Sequence, residues 1–275
     1  MGIVHISGKT RVGKTSLVVA VNIPLLNGED DERYLQSLSY IKKLQAQGEK
    51  VTFPPQRHVV SANIDIKDTY PNVKAYKVSG FKLALPINKT NKHYVPTIRM
   101  IPYGVYILDE CAKYFKYKKL LPQVLRLYEL QGQYFLQFYL ISHRYIAINK
   151  DLRAIIDKFW YVTDCKHRYK INGKSVWKSK FVDSEEILET RWTYIEFEDE
   201  GDIELYLKST SADKKKIGKR CHYNFKGDIR DHYDSYNFAE YFEQHEEDFN
   251  YSTSDDMDSI CEPRSWGVQE GGEDD

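Results

Sequence analysis

The 275-residue sequence predicts an α/β fold with a mostly parallel central sheet flanked by helices, and three observations carry that expectation. Apolar runs of strand length alternate with segments of helical spacing through the first 163 residues, as crossover connections require. A glycine-containing loop joins the first apolar run to the first helical segment. After Asp164 the alternation stops, and Asn172-Gly173 between two alternating segments signals a type I′ hairpin, hence an antiparallel extension.

Taken in order, Gly2–Ser7 (GIVHIS) reads as a buried strand and Lys14–Asn22 as a helix, with Pro24 just beyond it as a breaker. Leu35, Leu38, Ile41 and Leu44 recur every three residues, so Glu29–Gln47 predicts an amphipathic helix. Arg57–Ile66 reads as a second strand. Asp68–Met100 has no period and predicts short irregular strands with a mobile loop around Asn88–His93. Gly104–Leu108 (GVYIL) is the third strong strand, and Ala112–Leu130 is helical but kinked or divided by Pro122. Tyr134–Ser142 predicts a fourth strand, Asp151–Asp157 a short helix and Lys158–Thr163 a fifth strand. Trp192–Glu198 and Asp202–Leu207 read as further strands around an acidic turn.

Charge divides the rest. Lysines and arginines number 40 and so do carboxylates, but the balance hides an asymmetry. Lys214, Lys215, Lys216, Lys219 and Arg220 crowd a basic stretch, whereas beyond Glu240 the one Lys or Arg is Arg264. The expected organisation is therefore residues 1–207 as an α/β unit with its extension, 208–239 as a basic segment, and 240–275 as a disordered acidic tail. Cys111, Cys165, Cys221 and Cys261 lack the spacing of a disulfide framework or a zinc ribbon, and the Cys165/His167 and Cys221/His222 pairs lack usual ligand spacing. The first residues run directly into a strand, which leaves no room for a signal peptide, and no apolar run reaches the ~18 residues that span a bilayer. The expected setting is therefore that of a soluble, intracellular chain.

Gly8, Lys9, Thr10, Arg11, Val12, Gly13, Lys14 and Thr15 fit a phosphate loop: Gly, four residues, Gly, Lys, then Ser or Thr. The glycines let successive N–H groups turn toward a β-phosphate, and the helix that follows, with Ser16 in its first turn, presents its positive end to the same oxygens. Lys14 can then reach β- and γ-phosphates while the Thr15 hydroxyl holds Mg²⁺. Asp109 and Glu110 close an apolar strand, where adjacent carboxylates are costly unless they serve a cation or a reaction. Asp109 would order a water on the metal and Glu110 would polarise the attacking water. His143 follows Ser142 at the end of the fourth strand, which should lie between the loop strand and the Asp109 strand and so reach a γ-phosphate. Arg144 and Arg153 are candidates for a neighbouring subunit's nucleotide. A guanine site would need Asn-Lys-x-Asp, but Asn149-Lys150 is followed directly by Asp151, so ATP is the expected nucleotide.

GKTRVGKT after a strand, then YGVYILDE, then LISHRYIAINKDLRAIIDKFWYV, resemble the Zot-like (zonula occludens toxin N-terminal domain) ATPases, the filamentous-phage assembly group within the FtsK–HerA superfamily. The likeness extends over about residues 1–207. It implies a hydrolase that moves viral or mobile-element DNA in virion assembly or packaging, with Lys14 and Thr15 on phosphate and magnesium and Asp109 and Glu110 as metal-binding and catalytic acids. It places His143 where the family has Gln and Arg153 where its short helix carries Arg. It also implies a homo-oligomeric ring, a hexamer by preference, with DNA and capsid or assembly proteins as partners. Two features depart from the family: an Arg-His pair before the fourth strand is replaced by Glu129-Leu130-Gln131-Gly132, with Arg126 one turn away, and the membrane-spanning segment is missing. Two other functions fit the same motifs: an ATP-dependent assembly or adaptor protein acting on protein subunits without gripping DNA, and a nucleotide switch that does not hydrolyse.

Overall fold

The computed structural model describes residues 2–27, 32–50, 59–62, 64–66, 83–86, 94–97, 105–115, 122–132, 136–182 and 185–234. In chain order these form β1 (Gly2–Gly8), α1 (Lys14–Leu26), α2 (Glu32–Ala46), β2 (Val59–Ala62), β3 (Asp65–Ile66), β4 (Leu83–Pro86), β5 (Tyr94–Thr97) and β6 (Val105–Leu108). There follow α3 (Ala112–Phe115), α4 (Pro122–Glu129), β7 (Gln137–Ile141), α5 (Lys150–Arg153) and β8 (Lys158–Ile171). The remainder is β9 (Lys174–Lys178), β10 (Ile187–Phe197), α6 (Glu200–Lys208), β11 (Lys219–Lys226) and β12 (Tyr233–Asp234). The predicted loop at Asn88–His93 and the acidic tail from Glu240 lie outside the described residues.

Eight strands share one sheet in the order β11-β10-β8-β1-β7-β6-β2, with β9 paired to β8. From β8 to β2 all neighbours are parallel, while β9, β10 and β11 add on in antiparallel pairs. β1 is buried on both faces, the usual condition of a central parallel strand. Val4 and Ile6 pack with Leu17, Val18 and Ile23 of α1, while Ile3 faces Leu140, Leu152 and Phe159 on the other side. Register aligns the carboxyl ends of β1, β7 and β6, since Ile6 lies beside Ile141 and Leu140 beside Leu108. β7 thus lies between the loop strand and the Asp109 strand, as the sequence predicts.

Several elements differ from expectation. Of residues 57–66, expected as one strand, Val59–Ala62 joins the main sheet as β2 while Asp65–Ile66 pairs with β12 in a separate sheet. α1 does not stop before Pro24 but continues to Leu26. Proline cannot donate to the carbonyl four residues back, and here the Tyr223 hydroxyl donates to that oxygen, Ala20 O, at 3.0 Å. Residues 202–207, expected as a strand, belong to helix α6. Asp199 caps its start by accepting from the Asp202 N–H at 2.8 Å, and Ile203 and Tyr206, three apart, are the residues it buries. Within the basic stretch, Lys219–Lys226 is strand β11, whose Cys221, Tyr223 and Phe225 turn inward between exposed Arg220, His222, Asn224 and Lys226. The hairpin signal at Asn172-Gly173 holds: both residues have positive φ, 50° and 75°, as a type I′ turn requires.

Candidate phosphate site at the carboxyl end of the sheet

The loop between β1 and α1 needs its glycines at two close approaches. Gly8 has φ 146°, and a side chain there would run into the Val162 carbonyl of β8. Gly13 is left-handed, φ 74°, and a Cβ would lie 2.8 Å from Trp192 Nε1 and 2.9 Å from Ser16 Oγ. Arg11 is also left-handed, φ 61°, a conformation that costs a non-glycine residue ~1 kcal/mol or more and recurs where loops bind ligands. α1 then starts at Lys14 with no acidic residue in its first turn, so the positive end of a 13-residue helix faces the loop uncompensated. Trp192 of β10 buttresses this turn: its indole N–H donates to Ser16 Oγ at 3.2 Å, and Ser16 donates to Gly13 O at 3.0 Å.

Lys14 is buried beneath the loop, its Nζ donating to Lys9 O at 3.0 Å and Gly8 O at 3.4 Å. Burial pulls its pKa down, opposed by the nearby Asp109 and Glu110 carboxylates. The Thr15 hydroxyl donates to Asp109 Oδ2 at 2.6 Å, and the Glu110 N–H donates to Asp109 Oδ1 at 2.8 Å. Burial pushes the Asp109 carboxyl above its ordinary range; the Thr15 and Glu110 hydrogen bonds and the Lys14 charge oppose that rise. Glu110 is left-handed, φ 50°, and its side chain is half exposed.

His143 joins these groups. Its Nε2 lies 3.2 Å from Glu110 Oε1 and its Nδ1 lies 3.4 Å from Lys14 Nζ. An ammonium can only donate, so Nδ1 must accept and Nε2–H must donate to the carboxylate, which assigns the tautomer from geometry. Lys14, His143, Glu110, Asp109 and Thr15 therefore form one contiguous set. Arg153 lies apart from it. Its Nε donates to Glu200 Oε1 at 2.7 Å and its Nη1 to Ile148 O at 2.7 Å and Ile146 O at 3.3 Å. Arg144 is exposed beside His143.

Sequence reasoning missed the layer underneath. His5, on β1, is fully buried, and its Nε2 lies 2.8 Å from Ser142 Oγ, which donates in turn to Arg144 O at 2.8 Å. The serine thus accepts from His5 Nε2–H, and the pair ties the β1 interior to the chain reversal that carries His143. Burial holds the His5 pKa down to about 3, with the Arg153 charge adding to the effect, so the ring stays neutral. A polar residue inside the run GIVHIS was the available signal.

The donor set fits a nucleotide's phosphates with a divalent cation. Among the described residues no group of three or more His, Cys, Asp or Glu could hold a metal by itself. A small hard cation does not need one, because phosphate oxygens, water and one or two protein oxygens suffice. The Thr15 hydroxyl and the Asp109 carboxylate, 2.6 Å apart, are such a pair.

A sheet with a helix-opening glycine loop on β1, a carboxylate-ended β6 and an interposed β7 is diagnostic. The fold is that of a P-loop NTPase. No protein-family model and no curated protein matches the sequence. Among solved structures, the P-loop chain is similar to the N-terminal domain of zonular occludens toxin from Neisseria meningitidis, with 12% identity over 85% of this chain and 98% of that one, and a TM-score of 0.44. It is also similar to B204, the DNA-packaging ATPase of Sulfolobus Turreted Icosahedral Virus, with 15% identity over 58% of this chain and 74% of that one, and a TM-score of 0.29. The genome packaging NTPase B204 of the second such virus, solved in complex with ATP-gammaS, matches with 15% identity over 58% and 73% of the two chains, at a TM-score of 0.31.

Proposed function

We propose that this chain is an ATP-hydrolysing motor of the FtsK–HerA/Zot-like type that moves viral or mobile-element DNA during virion assembly or packaging. The observation that carries the reading is the continuous path Lys14–His143–Glu110 beside the Thr15–Asp109 pair. A loop built only to bind would not need a half-exposed carboxylate held by a histidine that also touches the phosphate lysine.

In this reading the loop N–H groups and Lys14 hold the β- and γ-phosphates, and Gly8 and Gly13 keep the backbone close enough to do so. Thr15 and Asp109 would hold a magnesium ion, which when bound would neutralise charge developing on the phosphate. Glu110 accepts the proton of the water that attacks the γ-phosphorus, and His143 keeps that carboxylate in line. His5 and Ser142 position His143 from below. Arg153 acts within its own chain, clamping the turn at residues 146–148, and exposed Arg144 is the better candidate to reach a neighbour across a ring. Unit boundaries near residues 207 and 239 belong to the same proposal, modified by β11, which pairs with β10.

The test is ATP turnover by the full chain with and without single- and double-stranded DNA, with Lys14→Ala as the blank. Turnover that DNA stimulates supports a motor. Turnover indifferent to DNA would replace it with an assembly ATPase acting on protein subunits, and MgATP binding equal in Lys14→Ala and parent would remove the phosphate-loop assignment.

A further inference from the structure

The antiparallel extension has one sheet face that the phosphate site does not use. Along β8 and β10, His167, Tyr169, Thr190 and Trp192 are buried on the side of α1. The residues between them point the other way. Register sets Lys166 beside Arg191 and Arg191 beside Asn224; in the next row Arg168 lies beside Trp177 and Glu189, and Glu189 beside Lys226. Arg220 and His222 continue this exposed row along β11. At its end Lys214 lies 5.1 Å from the centre of the Tyr206 ring. Among the described residues of these rows the carboxylates are Asp164, 3.4 Å from Lys166, and Glu189, 2.8 Å from Arg168.

The guanidinium planes are set in advance. Arg191 lies 4.7 Å from the Trp177 ring centre while its Nε donates to Asn224 Oδ1 at 2.8 Å, and Arg168 lies 5.8 Å from the same ring. Stacking and hydrogen bonding remove rotamer freedom before any ligand arrives, so less entropy is lost on binding. The cationic band runs ~20 Å along β11 and ~10 Å across three strands. Charge segregation in the whole chain points the same way: residues 240–275 hold 13 of the 40 carboxylates and one of the 40 Lys and Arg, leaving +12 on residues 1–239.

We propose that this face binds the phosphate backbone of a single-stranded nucleic acid, without reading its bases. A long, narrow band of cations, with Arg191 and Arg168 held in place, suits an extended flexible polyanion lying along it. A duplex is a convex cylinder that meets a sheet face along one line, and its major groove takes a helix or a protruding ribbon; among the described residues neither stands on this face. The proposal rests on the motor reading for its use, but binding itself needs no nucleotide.

The experiment is fluorescence anisotropy of a labelled single-stranded oligonucleotide with full-length protein, without nucleotide, across a series of salt concentrations. Arg191→Gln with Lys226→Gln should weaken binding on the order of tenfold and reduce the salt slope by about 1.4, the loss of two phosphate contacts on a single strand. Arg191→Lys with Lys226→Arg keeps the charges and should retain the parent slope, and far-UV circular dichroism checks that both variants fold. Lys14→Ala, measured alongside, should bind the oligonucleotide like the parent, so a failed ATPase reading and a failed surface give different results. The proposal is overturned if the double Gln variant keeps the parent's affinity and slope, if the parent does not bind, or if duplex of equal length binds more tightly than the single strand.

Discussion

Glu110 is the residue whose chemistry is most exposed to test, because its carboxylate is half exposed and held by His143 at 3.2 Å. Glu110→Gln keeps the shape and the hydrogen bond but cannot take a proton from water. It should bind MgATP with near-parent affinity and turn it over ~10²–10⁴-fold more slowly, which isothermal titration and a phosphate-release assay would show; turnover within twofold of the parent would place the base elsewhere. His5 gives a pH signature. Its pKa falls from 6.5 to about 3 on folding because the ring is buried, so between those values the unfolded chain binds more protons than the folded one. Stability from this group is complete above pH ~6.5 and drains away as pH falls, by up to ~1.4 kcal/mol per unit. His5→Gln, which can still donate to Ser142, should flatten that slope in urea titrations at pH 7 and pH 5. An unchanged slope would assign the acid sensitivity elsewhere, to His167 for example, whose pKa burial also lowers, to about 4. At this scale the sequence was legible wherever a motif fixes spacing: Gly8, Gly13, Lys14, Thr15, Asp109 and Glu110 all stand where the pattern requires. It was silent on His5 and Trp192, since the Ser142 and Ser16 hydroxyls they bond lie 137 and 176 residues away and no local period marks such a pair.

At the level of elements, the short helix α5 and the turn before it show how a surface arginine becomes internal. Asn149 caps α5 by accepting from the Asp151 N–H at 2.7 Å, and Arg153 at its end reaches back to Ile146 O, Ile148 O and Glu200. One guanidinium thereby satisfies two turn carbonyls and pins α6 to the segment that follows His143. Arg153→Ala should cost about 1–3 kcal/mol of stability, leaving a partly buried carboxylate and two carbonyls without that donor. Turnover should fall in isolated chains as much as at high protein concentration, and Arg153→Lys should restore part of it. Loss confined to the assembled state, with activity regained on mixing with Glu110→Gln, would instead make Arg153 a trans finger. The strands of the parallel sheet were readable because each is a bounded apolar run. Residues 202–207 were not, because Asp-Ile-Glu-Leu-Tyr-Leu satisfies both a two-residue and a three-residue period, and only the Asp199 cap decides between them. Pro24 misled for a related reason: the Tyr223 hydroxyl that meets Ala20 O comes from β11, about 200 residues later in the chain.

Across the whole molecule the dominant fact is the separation of charge between residues 1–239, net +12, and residues 240–275, net −12. A polyanion covalently joined to a cationic body competes with any other polyanion at an effective concentration that the tether sets, in the millimolar range for short connections. The cationic face on β8, β10 and β11 is the surface for which it would compete. Removing residues 240–275 should therefore strengthen oligonucleotide binding, and the gain should be largest at low salt, where neither the tail's attraction nor the phosphate contacts are screened. As salt rises toward the point where the Debye length is shorter than the spacing of these charges, both attractions fade and the two proteins should converge. Anisotropy at two salt concentrations distinguishes this from a segment that merely aids solubility, for which truncated and full-length protein would bind alike at both. The double substitution at Arg191 and Lys226 makes the test specific: if the tail acts through that face, truncating it should help the substituted protein much less than it helps the parent. An equal gain in both backgrounds would mean that the acidic segment repels nucleic acid from the molecule at large.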